Sequence, residues 1–139
     1  MGIMWNDLFV VSIRMLAATV IGGIIGLERR RMGKFIGAKT NSVMCLAACS
    51  LICMISRVLP TELARVTSGI FSGMGFMGAG IFLASNTEQI VGFTSVSILW
   101  FVVCIGIMLG TPYWYFVVPM LICYFIIAEI FPKIEHQNS

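Results

Sequence analysis

Few side chains in these 139 residues are placed to do chemistry. Cys45, Cys49 and Cys53 recur at i, i+4 and i+8, which stacks them on one helical face. A thiolate metal site could use that spacing, but no other ligand type accompanies it, and His136 lies in the C-terminal tail. The three read as small apolar packing residues, and no metal is assigned. Five cysteines, all in apolar segments, do not form a disulfide framework. The run Ser72-Gly-Met-Gly-Phe-Met-Gly-Ala-Gly80 superficially resembles a phosphate cradle, yet it lacks the Lys-Ser/Thr pair and the preceding strand such a loop needs. No nucleophile stands beside a base. Catalytic residues and cofactors are therefore not assigned, and an enzyme is not expected.

What remains is a small set of polar groups in apolar surroundings. Arg14 lies nine residues from Trp5 and thirteen from Leu27, near the middle of a hydrophobic segment. A cation there costs about 2.5–3.5 kcal/mol on insertion scales, so it needs a partner or water. Asp7 and Glu28 fall within roughly 40° of it on a helical wheel, but Asp7 is about 10 Å away along the axis. Hydroxyls and carbonyls of other segments are the better partners, with Thr94, Ser95 and Ser97 foremost. The alternative is an arginine that snorkels to the interface. Asn41, Ser42 and Ser50 offer further hydrogen bonds between helices.

The elements that must position these groups are membrane spans. With 59% hydrophobic residues, 11% charged and a mean hydropathy of +0.99, the chain is not a soluble domain. A crossing takes about 20 apolar residues. Five spans fit a single all-α membrane domain over 1–139, at about 5–27, 40–56, 66–84, 90–110 and 113–131. Between the first two, Glu28 to Lys39 carries five Lys or Arg in twelve residues, and Gly33 and Gly37 break helical continuity. This cluster supplies the net charge of +3, so the charge orients the chain against lipid and does not mark a nucleic-acid binder. Pro60 breaks the next connection, where Thr61 is a candidate helix cap. Ser85 to Glu88 reads as a turn, Tyr113-Trp-Tyr115 as an interfacial aromatic link, and Pro132 as the end of the fifth span. Arg29, Arg30, Arg31, Lys34, Lys39 and Lys133 fall on one side, against Arg57 and Arg65 on the other. This bias places the N-terminus outside and the C-terminus in the cytoplasm, in a multi-pass protein of the bacterial plasma membrane.

Glycine is expected to organise the bundle. Gly22/Gly26 and Gly106/Gly110 have the spacing that lets helix backbones approach closely. In the third span Gly69, Gly73 and Gly80 share one face, with Gly75 and Gly78 opposite. That span reads as the central packing post, or as a broken helix, and its glycine faces also suit a homo-oligomer.

Four pieces in order resemble the MgtC/SapB family of bacterial membrane proteins. They are Arg14 with Gly22-Gly-Ile-Ile-Gly-Leu-Glu-Arg29; Lys34 with Gly37-Ala-Lys-Thr40; Arg65 with Ser72 to Gly80; and Gly92-Phe-Thr-Ser-Val-Ser-Ile-Leu-Trp100. Lys39 stands where the family usually has Arg, Gly69 where it often has Gln, and Ser95-Val-Ser97 replaces a Thr-Ala-Ala pattern. The soluble C-terminal domain of many members has no counterpart here, so a short form is expected. The resemblance implies a plasma-membrane regulator linked to growth at low magnesium and to survival inside host cells. It also implies a link to restraint of the F-type ATP synthase rather than to magnesium transport. The alternative is a small ion or solute pathway with a polar site around Arg14. Arg14, Glu28, Arg29, Lys39, Thr40, Asn41, Arg65, Gly73, Gly75, Phe76, Gly78, Gly80, Thr94, Ser95 and Trp100 are the candidate polar and packing residues. The expected partners are the bilayer, another membrane complex or a second copy of the chain, and not nucleic acid.

Overall fold

In lipid every backbone polar group must be satisfied within the protein, and this chain does so with helices. A computed structural model describes residues 2–34, 36–84 and 91–137. Its elements are α1 (Gly2–Arg31), α2 (Ala38–Val58), α3 (Leu63–Ala84), α4 (Val91–Gly110) and α5 (Val117–Gln137), with 3-10 turns at Pro60–Glu62 and Trp114–Phe116. Among the described residues, α1, α2 and α4 are long and apolar enough to cross a membrane, and a shorter apolar stretch covers Trp114–Ile130. Over its described residues the chain is an all-α membrane helix bundle of five helices.

Local chemistry sets the helix ends. Gly33 adopts a φ of 71°, a conformation side chains resist, and so closes α1. Its N–H bonds the Arg30 carbonyl at 3.0 Å while the Lys34 N–H reaches back to Arg29 at 3.1 Å. That pair of bonds is the glycine-terminated helix cap. Gly37, in extended conformation, begins α2 without a side-chain cap. Two sequence expectations need correction. Thr61 caps nothing, because Pro60 draws the chain into a 3-10 turn whose N-cap is Leu59. Helix α5 continues through Pro132 to Gln137, since a proline removes one backbone bond without forbidding the turns beyond it. The turn expected at Ser85–Glu88 lies outside the described residues.

Helix α2 is the centre of the bundle. Along its N-terminal half Gly22 and Gly26 of α1 lie so close that an added Cβ at Gly22 would stand 2.7 Å from the Asn41 carbonyl oxygen, and one at Gly26 2.8 Å from that of Gly37. As α1 advances by four residues its partners on α2 retreat, so the two helices are antiparallel. Farther along α2, Gly106 meets Cys45 and Ala48, and Gly110 meets Cys49 and Ile52. Here both numbers advance together, so α4 runs parallel to α2. The resulting core contains Cys45, Cys49 and Cys53 of α2 with Ala18, Ile25, Val102, Ile105 and Leu109. All five cysteines are free thiols, and the three on α2 form its packing seam. Helix α1 turns a stripe of large apolar side chains outward, including Phe9, Ile13, Leu16, Val20, Ile24 and Leu27. Bulk toward lipid and small residues toward neighbours is the pattern of a membrane helix.

The glycine-rich α3 is not the central post; it lies at the edge. A Cβ added at Gly69, Gly73, Gly75 or Gly80 would meet nothing within 4 Å. Phe76 is 86% exposed. The physical reason is that glycine permits close approach but supplies no side chain to fill a gap. The helix is held instead by Met74, buried to 3% exposure, by Gly78 under the Val96 side chain, and by Phe71 stacked on Trp100 at 5.3 Å. It is a continuous helix over its described length.

Candidate functional site

Three features carry the polar and open surfaces of the bundle, and the first is built on Arg14. The last carbonyls of a helix have no intrahelical partner and carry partial negative charge. Arg14 Nη1 donates to the Thr111 carbonyl at 2.8 Å and to that of Gly110 at 3.4 Å. The Cys53 thiol points at the same Gly110 oxygen, 3.7 Å away, and Arg57 Nη1 donates to the Cys53 carbonyl at 2.9 Å. Arg14 and the Cys53 thiol thus engage the C-terminal carbonyls of α4, while Arg57 bonds a carbonyl one turn back in its own helix. The sequence was right to seek carbonyl partners for Arg14 in other segments, and wrong to place Thr94, Ser95 and Ser97 foremost among them. Thr94 and Ser97 are exposed, with the Ser97 hydroxyl donating to its own helix at Phe93. Both lie about 20–25 Å along α4 from the carbonyls that Arg14 reaches.

The second feature is the opposite end, which bears the basic cluster. The Tyr124 hydroxyl of α5 donates to Glu28 Oε2 at 2.9 Å. Tyr124 itself stacks on Phe101 at 5.1 Å, which fixes the ring. Arg29 keeps Nε and Nη2 shielded and without an acceptor. Asn41, 1% exposed, donates Nδ2 to the Gly37 carbonyl at 2.9 Å and leaves Oδ1 unmatched. Ser95 is 4% exposed and its hydroxyl has no partner. Lys39 and Thr40 are exposed on the first turn of α2. Arg65 belongs to neither end cluster; it pairs with Glu62 at 2.6 Å on the far connection.

The third feature is a shallow apolar groove of about 290 Å³ between α2, α3 and α4. Gly69, Gly73 and Met74 of α3 form one wall, with Ala47 and Ala48 of α2 and Val103 of α4 among the other lining residues. Gly75, Phe76 and Gly80 lie on the exposed part of α3, and Gly78 and Trp100 on its contacts with α4. Among the described residues no group of three His, Cys, Asp or Glu converges on a metal position.

The candidates therefore separate into three places rather than one. Sequence reasoning missed Tyr124 and the carbonyls of Gly110 and Thr111, and read Cys53 for its packing alone. Tyr124 had a signal, because a lone phenol in an otherwise apolar helix needs a partner. The carbonyls had none, since every residue carries one.

Helices joined through small residues, with intramembrane cations tied to helix ends, define a compact polytopic membrane protein. The particular family is then plain: the profile of the MgtC family matches residues 15–137, and the chain belongs to it. It is 31% identical to the protein SapB of Bacillus subtilis over 130 residues, 86% of this chain and 56% of that one. It is 28% identical to an uncharacterized protein of Haemophilus influenzae over 96% of this chain and 61% of the other, and 29% identical to the protein MgtC of Salmonella typhimurium over 74% and 44%. The chain thus spans roughly half of the length of these relatives. No solved structure matches it.

Proposed function

We propose that the protein is a regulatory membrane protein that acts by docking a helix of another membrane complex onto α3 and the adjoining groove. The observation that carries this reading is the open glycine face. Gly69, Gly73 and Gly80, which share one face of α3, leave backbone uncovered within the bundle, and glycine otherwise costs about 1 kcal/mol relative to alanine in a helix. A partner helix approaching that backbone gains the close packing that drives association in lipid. By resemblance to its family, the complex is the F-type ATP synthase, and the setting is the inner membrane during growth at low magnesium. The charge bias supports an orientation with Arg29–Lys39 in the cytoplasm.

A solute pathway finds less support. Arg14 is engaged with carbonyls at one end, the serine and threonine hydroxyls of α4 begin at the other, and the groove between α2 and α3 is apolar. The test is purification in mild detergent alongside flux in proteoliposomes. Co-purification of one complex that is lost in Gly73→Leu, with no flux above empty vesicles, is the expected result. Ion flux that disappears in Arg14→Leu would replace this reading with the pathway.

A further inference from the structure

We propose that the basic end of the bundle holds a phosphate group between α1 and α4, on Arg29 and Ser95. The Arg14 contacts set the relative depth of these helices. Arg14 of α1 stands level with Gly110 of α4, and the two helices run in opposite directions. Fifteen residues onward in α1 is Arg29, and fifteen residues back in α4 is Ser95. At 1.5 Å per residue both lie about 22 Å from the Arg14 contact, at one depth.

Both are also unsatisfied there. Arg29 has Nε and Nη2 shielded from solvent with no acceptor, and the Ser95 hydroxyl is buried with no partner. Buried polar groups are normally paired, and an unpaired guanidinium is among the costliest to leave so. Donors of this kind in a planar fork match the oxygens of a phosphate. The neighbouring acid does not meet the need: Glu28 is turned to Tyr124 on α5, and Arg29 Nε and Nη2 have no acceptor from it. The surroundings add positive charge: Arg30, Arg31, Lys34 and Lys39 flank the site. The first turn of α2, whose N-cap Gly37 offers no side-chain acceptor, directs free backbone N–H groups to the same end. Phosphate could come from the headgroup of an anionic lipid or from a soluble phosphate compound.

The experiment uses the whole chain in nanodiscs. In one arm, retention of phosphatidylglycerol over phosphatidylcholine is read by native mass spectrometry. In the other, inorganic phosphate is titrated into phosphatidylcholine nanodiscs by calorimetry. A charge-assisted bond lost at a shielded site should weaken binding about tenfold or more in Arg29→Gln and about three- to tenfold in Ser95→Ala. Arg31→Gln, on the exposed side of the same turn, should change it less than about twofold. Selective lipid retention assigns a headgroup, and phosphate binding without lipid assigns a soluble ligand. Should Arg29→Gln fail to fold, Ser95→Ala still decides. Binding in neither arm, or equal losses in Arg29→Gln and Arg31→Gln, would overturn the site and leave only diffuse surface charge.

Discussion

Alanine at Gly110 and alanine at Gly73 should have opposite consequences, although both glycines belong to small-residue faces. At Gly110 the new Cβ would stand 2.6 Å from Ile52 Cβ, 2.7 Å from its Cγ2 and 2.9 Å from the Cys49 carbonyl oxygen. Favourable contact begins at about 3.5 Å, so the helices must part by nearly 1 Å or the isoleucine must move. Ile52 is fully buried and β-branched, and its neighbours leave it little freedom. Overpacking of this sort costs about 1–3 kcal/mol. For a chain of this length that lowers the unfolding midpoint by roughly 4 °C per kcal/mol. At Gly73 the Cβ meets nothing within 4 Å, and the gain in helix propensity makes the change neutral or stabilising by up to about 1 kcal/mol. The assay is thermal unfolding of the purified protein in one detergent, followed by circular dichroism. A Gly73→Ala midpoint that falls as far as that of Gly110→Ala would refute the placement of α2 at the centre and α3 at the edge.

Arg14→Leu should lower the midpoint by an amount equivalent to about 1–3 kcal/mol, because it strips the donor from the Gly110 and Thr111 carbonyls. Arg14→Lys should retain most of that stability, since one nitrogen serves both oxygens; equal losses in the two variants would show that the planar guanidinium itself is needed. Tyr124→Phe removes a hydrogen bond to a carboxylate and should cost about 1.5–3 kcal/mol, with no further loss when Glu28→Gln is added. Additive losses in that double-mutant cycle would mean the two groups act separately. For the proposed orientation, a cysteine at Met32 in a variant lacking the native thiols should resist an impermeant maleimide in intact cells, while one at Thr61 should react. Labelling in the reverse sense would invert the topology.

The fold class was legible because a backbone in lipid needs helices or a closed barrel, and long unbroken apolar runs point to helices. The glycine pairs of α1 and α4 were legible too, since four-residue spacing marks a face where backbones approach. Their common partner was not. Helix α2 contributes carbonyls, Cys45 and Cys49 to those contacts, and none of these announces a close approach in sequence. The glycines of α3 misled for a related reason. A small residue records that a backbone can be approached, but not whether the approaching helix belongs to the same chain. Arg14 gave half its answer: its position required a partner elsewhere, while a helix C-terminus leaves no residue-type signature. Arg29 and Ser95 were named as candidates separately, and only the antiparallel register of α1 and α4 sets them at one depth.

The claim that the open face of α3 is where the protein meets its partner can be tested by placing a photoreactive phenylalanine analogue at Phe76 and, separately, at Leu16. Both side chains are exposed, one on the glycine face and one on the outward stripe of α1. Irradiation of native membranes should give one protein adduct of defined mass from position 76, abolished by Gly73→Leu in a chain that still folds, and lipid adducts alone from position 16. The same adducts from both positions, or a protein adduct at 76 that survives Gly73→Leu, would contradict it.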